Sequence, residues 1–180
     1  DWAGYLPVDV LPKENNPAKG WIATANHRVH SANDPHPLTA DWHMPYRFDR
    51  IESMLQASDQ HTLSSMKEIQ TDTLSLSAKE LLPYLQAAQS NHPLAPEAKT
   101  ILANYDGHMN QDSPAATIFN AWADQLARRL FEKKLGKSFA IEYGKRDFRA
   151  GVHKVVNMYA NGQAGTEYWC DKPETPEVET

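Results

Sequence analysis

The prolines of this chain are unevenly distributed, and their distribution is the strongest constraint on its fold. Six of the twelve prolines fall within the first 45 residues, at positions 7, 12, 17, 35, 37 and 45. Because proline fixes φ and lacks a backbone N–H donor, this segment is predicted to be extended or irregular. Residues 20–25 are its best strand candidate, and a strand that short needs partners elsewhere.

After residue 45 the apolar side chains recur at helical spacing, which predicts a mainly α chain. We therefore divide the chain into an irregular segment over 1–45, a helical region over 46–172 and a mobile, acidic tail over 173–180. The clearest helix begins after Ser113, a good N-cap residue, and ends before Gly136. Shorter helices are predicted to follow Pro45 and to cover residues 75–89, 97–104 and 148–159, and a capping box starting at Ser65 predicts one more.

Composition excludes several classes of protein. The 18 basic residues are outnumbered by 23 acidic ones, with no basic stripe, so nucleic-acid binding is not predicted. The apolar fraction of 41% is ordinary for a globular protein and predicts no membrane span. A single cysteine, Cys170, forbids an internal disulfide and a cysteine-rich zinc site. Since the chain begins at Asp1 rather than at methionine, we expect a processed or excised piece of a larger protein.

Two residue clusters invite a chemical interpretation. Four histidines (His27, His30, His36 and His43) lie in the proline-rich segment, but without metal-ligand spacing they are best explained as solvated or locally hydrogen-bonded side chains. Asn26 follows the apolar run, and Arg47 and Arg50 come soon after it. An asparagine amide can stabilise an oxyanion and arginine can orient its partners, although from these residues alone a turn asparagine with two surface arginines is the favoured explanation.

Four short motifs, in a fixed order, resemble those of the penicillin acylase family. The first is Asn16-Pro17 with Gly20 and Asn26, and the second is Arg47-Phe48-Asp49-Arg50-Ile51. The third joins Gln70, Asp72, Ser75 and Ala78 to Leu82-Pro83-Tyr84-Leu85. The fourth joins Leu102 to Gly107, followed by Ser113, Ala115, Phe119 and Trp122. Together these motifs cover roughly residues 7 to 172.

This resemblance implies an N-terminal nucleophile hydrolase, a precursor cut autocatalytically into two chains with an αββα core. Residues 1–45 are expected to belong to that core and to carry its catalytic asparagine. The chain resembles an internal part of the β chain, so the serine nucleophile is expected to lie outside it. The expected partners are the rest of the same precursor and a small acyl-amide substrate, such as a β-lactam side chain or an acyl-homoserine lactone. No nucleic acid and no membrane are expected, and the implied location is periplasmic or secreted.

The resemblance also implies roles for individual residues. Asn26 matches the asparagine of the family's oxyanion hole. Arg50 matches the arginine of the active-site network, with Arg47 as the alternate, and His27 stands where some relatives have a second asparagine. No cofactor is required; a structural calcium ion is possible in the intact protein, because Asp41 lies near an aspartate that binds calcium in some members. Two other readings stay open, a non-enzymatic helical binding or assembly module and a histidine-based metalloprotein.

Overall fold

A computed structural model describes residues 4–142 and 148–170, and it confirms a mainly α chain. Within these residues the helices, in chain order, are α1 (Tyr46–Gln56), α2 (Leu63–Thr71), α3 (Leu76–Ala87), α4 (Ala95–Leu102), α5 (Pro114–Leu135), α6 (Lys137–Glu142), α7 (Phe148–Ala160) and α8 (Thr166–Trp169). The chain forms two compact units, residues 1–72 and residues 73–180, which we call unit 1 and unit 2.

The proline-rich segment of unit 1 is irregular, as predicted. Its described part contains one short 3₁₀ helix, Val8–Val10, and no α-helix before Tyr46. The strand candidate at residues 20–25 pairs with no other described segment. Apolar side chains here stay largely in solvent: Tyr5, Val8 and Ile22 are exposed by 100%, 78% and 58%.

The two helices of unit 1 differ in how they start. Helix α1 begins directly after Pro45, close to the predicted place. Helix α2 begins earlier than predicted, because Thr62 and not Ser65 is its N-cap. The backbone N–H of Ser65 donates to the Thr62 hydroxyl at 3.2 Å, and the backbone N–H of Thr62 donates to the Ser65 hydroxyl at 2.9 Å. This reciprocal pair satisfies two N–H groups, so Ser65 serves as the second half of the box.

Unit 2 is organised around the long helix α5. The Ser113 hydroxyl accepts from the backbone N–H of Ala116, and Gly136 ends the helix with a φ of 54°, as the sequence predicts. The buried face of α5 contains leucine, phenylalanine and alanine side chains. Trp122 is half-buried, whereas the α5 members of the core are Phe119, Ala123, Leu126, Ala127, Leu130 and Phe131.

Helices α3, α4, α6, α7 and α8 all pack against α5. The side chains of Phe139 and Val152 complete the core at about 1% exposure each, and Cys170 packs half-buried beside them. Pro83 is exposed inside α3 and neither begins nor ends that helix, because the helix continues to Ala87.

The predicted change at residue 46 is a change of secondary structure, whereas the division of the chain into compact units falls between residues 72 and 73. Assignment of residues 1–45 to an αββα core stays a prediction, and the tail at 173–180 lies outside the described residues. No helix in the described part of the chain is both long and apolar enough to cross a membrane.

Candidate active site

Asn26 has an unusual backbone conformation at the end of the apolar run. Its φ is +60°, in the left-handed region that few residues other than glycine, asparagine and aspartate adopt readily. The preceding residue, Ala25, is buried, and the backbone N–H of His43 donates to the backbone oxygen of Asn26 at 3.0 Å. Burial of Ala25 and the bond from His43 thus hold the backbone of the turn, while the Asn26 side chain is exposed.

Arg47, from the first turn of α1, fixes the orientation of the Asn26 amide. Its Nη2 donates to the backbone oxygen of Ala25 at 2.9 Å and to Oδ1 of Asn26 at 3.0 Å. Because a guanidinium has donors only, the oxygen end of the amide must face Arg47. The nitrogen end, Nδ2, then has no acceptor among the described residues and is available to donate to another group.

Arg50 lies one turn further along α1 and binds a different partner. Its Nε and Nη2 donate to the two carboxylate oxygens of Asp72 at 2.8 and 2.7 Å, a bidentate ion pair. The Asp72 carboxylate is 12% exposed, and the hydrogen bond to it raises the pKa of Arg50 above its already high ordinary value. This pair joins the start of α1 to the residue that ends α2.

Three aromatic side chains near Asn26 carry buried polar atoms. The His27 ring stacks on Phe48 with 3.8 Å between centroids, and His30 meets the Trp42 ring edge to face at 5.5 Å. His27 Nδ1, His30 Nε2 and Trp42 Nε1 are inaccessible to solvent and have no hydrogen-bond partner among the described residues.

The described residues do not assemble a metal site. No three His, Cys, Asp or Glu side chains converge in the described ranges. Asp41 is exposed, and its backbone N–H bonds the Thr39 hydroxyl at 3.0 Å. Calcium takes six to eight oxygen ligands, so a calcium site that includes Asp41 needs further ligands, and such a site in the intact protein stays a prediction.

The structure brings Asn26 and Arg47 together and places Arg50 on Asp72. Sequence reasoning ranked Arg50 ahead of Arg47 for the active-site network, and the role of each arginine stays a prediction. It missed Asp72 as an ion-pair partner, although Asp72 belongs to one of the quoted motifs. A carboxylate 22 residues from an arginine gives no local signal in the sequence. Arg50 and Asp72 come together only because α1 packs against α2.

Comparison with known proteins identifies the family. The penicillin amidase family profile matches residues 1–180. A penicillin acylase 2 proenzyme from a Pseudomonas species is 36% identical over 71% of this chain, and an acyl-homoserine lactone acylase QuiP from Pseudomonas aeruginosa is 28% identical over 99% of it. The penicillin G acylase of Escherichia coli is 28% identical over 72% of the chain.

The chain spans 17% of the length of the penicillin acylase 2 proenzyme and 23% of that of the Pseudomonas aeruginosa acylase. The motifs in the sequence and the profile match over its full length agree. The chain belongs to the penicillin amidase family.

Proposed function

We propose that this chain is part of an acyl-amide hydrolase and supplies one donor of its oxyanion hole, the Nδ2 group of Asn26. The observation that carries the proposal is the contact between Arg47 and Oδ1 of Asn26, which directs the amide nitrogen away from the guanidinium. An oxyanion hole needs a donor that is held in place before the reaction begins. Relatives named as penicillin and acyl-homoserine lactone acylases support amide hydrolysis as the reaction.

The proposed chemistry is acyl transfer through a serine outside this chain. The serine Oγ attacks the amide carbonyl while its own α-amine accepts the proton, and the carbonyl oxygen becomes an oxyanion. Asn26 Nδ2 and a backbone N–H donate to that oxyanion. The amine then leaves, and water attacks the acyl-enzyme to release the carboxylic acid and regenerate the serine.

Arg47 is a positioning residue in this proposal, because it acts on the oxyanion through Asn26. Its bond to the Ala25 backbone oxygen at 2.9 Å holds the same turn from a second point. Arg50 supports Arg47 and Asn26 indirectly, because its ion pair with Asp72 holds α1 in place. The remaining segments of the precursor supply the nucleophile and the acyl pocket, and the protein works in the periplasm or outside the cell.

The test is Asn26→Gly in the intact, processed protein, with phenylacetyl and long-chain acyl amides as substrates. Glycine removes the amide and accepts a φ of +60° without strain, so folding is preserved. We expect kcat/KM to fall about 100- to 1000-fold, the usual cost of one lost oxyanion donor. Thermal unfolding should shift little or slightly upward.

Asn33→Gly is the matched control, because Asn33 is an exposed asparagine in the same segment. It should leave kcat/KM within about two-fold. If the intact protein hydrolyses amides and Asn26→Gly leaves the rate unchanged, Asn26 is not an oxyanion donor. If the intact protein hydrolyses none of these amides, the binding-module interpretation replaces the proposal.

A further inference from the structure

Unit 2 contains a polar cluster that the proposed function does not use. His153, on α7, is one of its most deeply buried side chains, at 2% exposure. Its Nε2 lies 2.6 Å from the hydroxyl oxygen of Ser77, on α3, and its Nδ1 lies 3.4 Å from Oε1 of Glu80. The order of these groups is hydroxyl, imidazole, carboxylate.

The carboxylate of Glu80 favours one tautomer of the His153 ring. A neutral imidazole has one donor and one acceptor nitrogen. With the Glu80 carboxylate near Nδ1, the proton is stabilised on that nitrogen, and Nε2 accepts from the Ser77 hydroxyl. Asn157 Nδ2 also donates to Oε1 of Glu80 at 3.1 Å and so holds the carboxylate beside the ring. A serine with a general base and an orienting carboxylate is the arrangement that activates a nucleophile.

The start of α3 provides donors beside the Ser77 hydroxyl. Ser75 is the N-cap, and its side chain accepts from the backbone N–H of Ala78 at 3.1 Å. The backbone N–H groups of Leu76 and Ser77 are in the first turn, where no intrahelical acceptor exists, and neither bonds any described residue. These two groups, at the positive end of the helix dipole, can bind a developing oxyanion.

Access to the serine is compatible with this role. Ser77 is half-buried, whereas the imidazole behind it is almost fully excluded from water. The two outer members of the cluster, Ser77 and Glu80, are thus the ones that reach the surface. The His153 imidazole stays pre-organised because solvent does not compete for its hydrogen bonds, whereas the Glu80 side chain is 33% exposed.

We propose that Ser77 is a second acyl-accepting nucleophile, with His153 as its general base and Glu80 as a positioning residue, and that it reacts with small activated carboxylic esters. Ser77 Oγ bonds to the ester carbonyl carbon as its proton moves to His153 Nε2. The carbon–oxygen bond to the leaving group then breaks, and that group takes the proton and departs as an alcohol or phenol. Water attacks the acyl-serine in the same way and releases the acid.

The experiment uses the intact protein and p-nitrophenyl acetate, with release of p-nitrophenol followed by absorbance and acetylated peptides identified by mass spectrometry. We expect an acetyl group on Ser77 and none on Ser90, an exposed serine of the same unit. Peptide mapping separates this acetyl group from one on the N-terminal nucleophile. The result is thus independent of the amide-hydrolysis test of Asn26.

Two variants test the roles within the cluster. His153→Gln should lower the rate of Ser77 acetylation about 100-fold or more, the usual contribution of a general base. Glu80→Gln keeps the shape of the side chain and should lower the maximal acetylation rate while leaving the half-saturating ester concentration unchanged. A merely structural Glu80 would not produce that split, and the variant keeps the test valid if His153→Gln does not fold.

Ser90→Ala is the control variant, and it should change neither the rate of p-nitrophenol release nor the rate of Ser77 acetylation. Absence of acetyl on Ser77 in the folded protein would overturn the proposal. So would equal acetylation of Ser77 and Ser90, or a Ser77 rate that Glu80→Gln leaves unchanged.

Discussion

The two units hold their functional groups by different means. Among the described residues of unit 1, Ala25 and Leu55 are the buried apolar side chains, and hydrogen bonds and one ion pair fix Asn26, Arg47 and Arg50. Unit 2 has a continuous apolar core around α5, and its polar cluster lies on that core. Unit 1 therefore holds its functional side chains in place by hydrogen bonds and an ion pair, whereas unit 2 does so by packing them on buried apolar area.

The largest effect is expected from removing a core side chain of unit 2. Leu130→Ala deletes a residue that is 2% exposed and leaves a cavity in the α5 core. We expect the free energy of unfolding to fall by about 2 to 5 kcal/mol, measured by urea denaturation with unit 2 signals. Ile22→Ala, in the exposed segment of unit 1, should cost no more than about 0.5 kcal/mol. Equal losses of unfolding free energy at the two positions would contradict the view that only unit 2 is stabilised mainly by buried area.

A second test adds an atom to the same core. Gly151 lies in α7, and a Cβ there would come within 2.7 Å of Cζ of the buried Phe131 ring. Alanine normally favours a helix over glycine, yet overpacking outweighs that preference here, so Gly151→Ala should destabilise unit 2 by about 1 to 3 kcal/mol. Combining it with Phe131→Leu should recover part of the loss in calorimetry. A stabilising Gly151→Ala would show that Phe131 moves aside at little cost.

The ion pair of unit 1 gives a test of similar or smaller size. Arg50→Lys keeps the charge but loses the bidentate fork, and should lower the free energy of unfolding by about 1 to 2 kcal/mol. Because the hydrogen bond to Asp72 raises the pKa of Arg50, the arginine stays charged as pH rises, and its share of the stability is lost only above its folded pKa, beyond ordinary alkaline conditions.

Arg47→Lys tests, through the kcat of the intact protein, whether Arg47 or Arg50 belongs to the active-site network. Arg47 is exposed, so the change should alter stability little, while kcat of the intact protein falls because the Asn26 amide is no longer held at Oδ1. If Arg50→Lys lowers kcat more than Arg47→Lys does, Arg50 is the arginine of the active-site network.

The smallest effect concerns the helix caps. Thr62→Ala removes one half of the reciprocal box that starts α2, and Ser113→Ala removes the N-cap of α5. Each should cost about 1 kcal/mol. In urea denaturation we expect the smaller decrease in the free energy of unfolding for Ser113→Ala, because packing against five other helices also stabilises α5. A larger loss from Ser113→Ala would contradict that expectation.

Local signals predicted the helices well. The Ser113 cap and Gly136 defined α5, and proline density predicted the irregular start, because both depend on neighbours in sequence. The Arg50–Asp72 pair and the Ser77–His153 contact were beyond sequence reasoning. They depend on how α1 packs with α2 and α3 with α7, and the paired residues are 22 and 76 positions apart in sequence. The motif order selected Asn26, Arg50 and Arg47 as candidates, and the role of each stays a prediction that the variants above test.

The exposed apolar side chains near the start of unit 1 have a consequence for the isolated chain in solution. Tyr5, Val8 and Ile22 remain in contact with water in the folded unit. Because removing apolar area from water is favourable, we expect the isolated chain to associate as its concentration rises, which static light scattering measures.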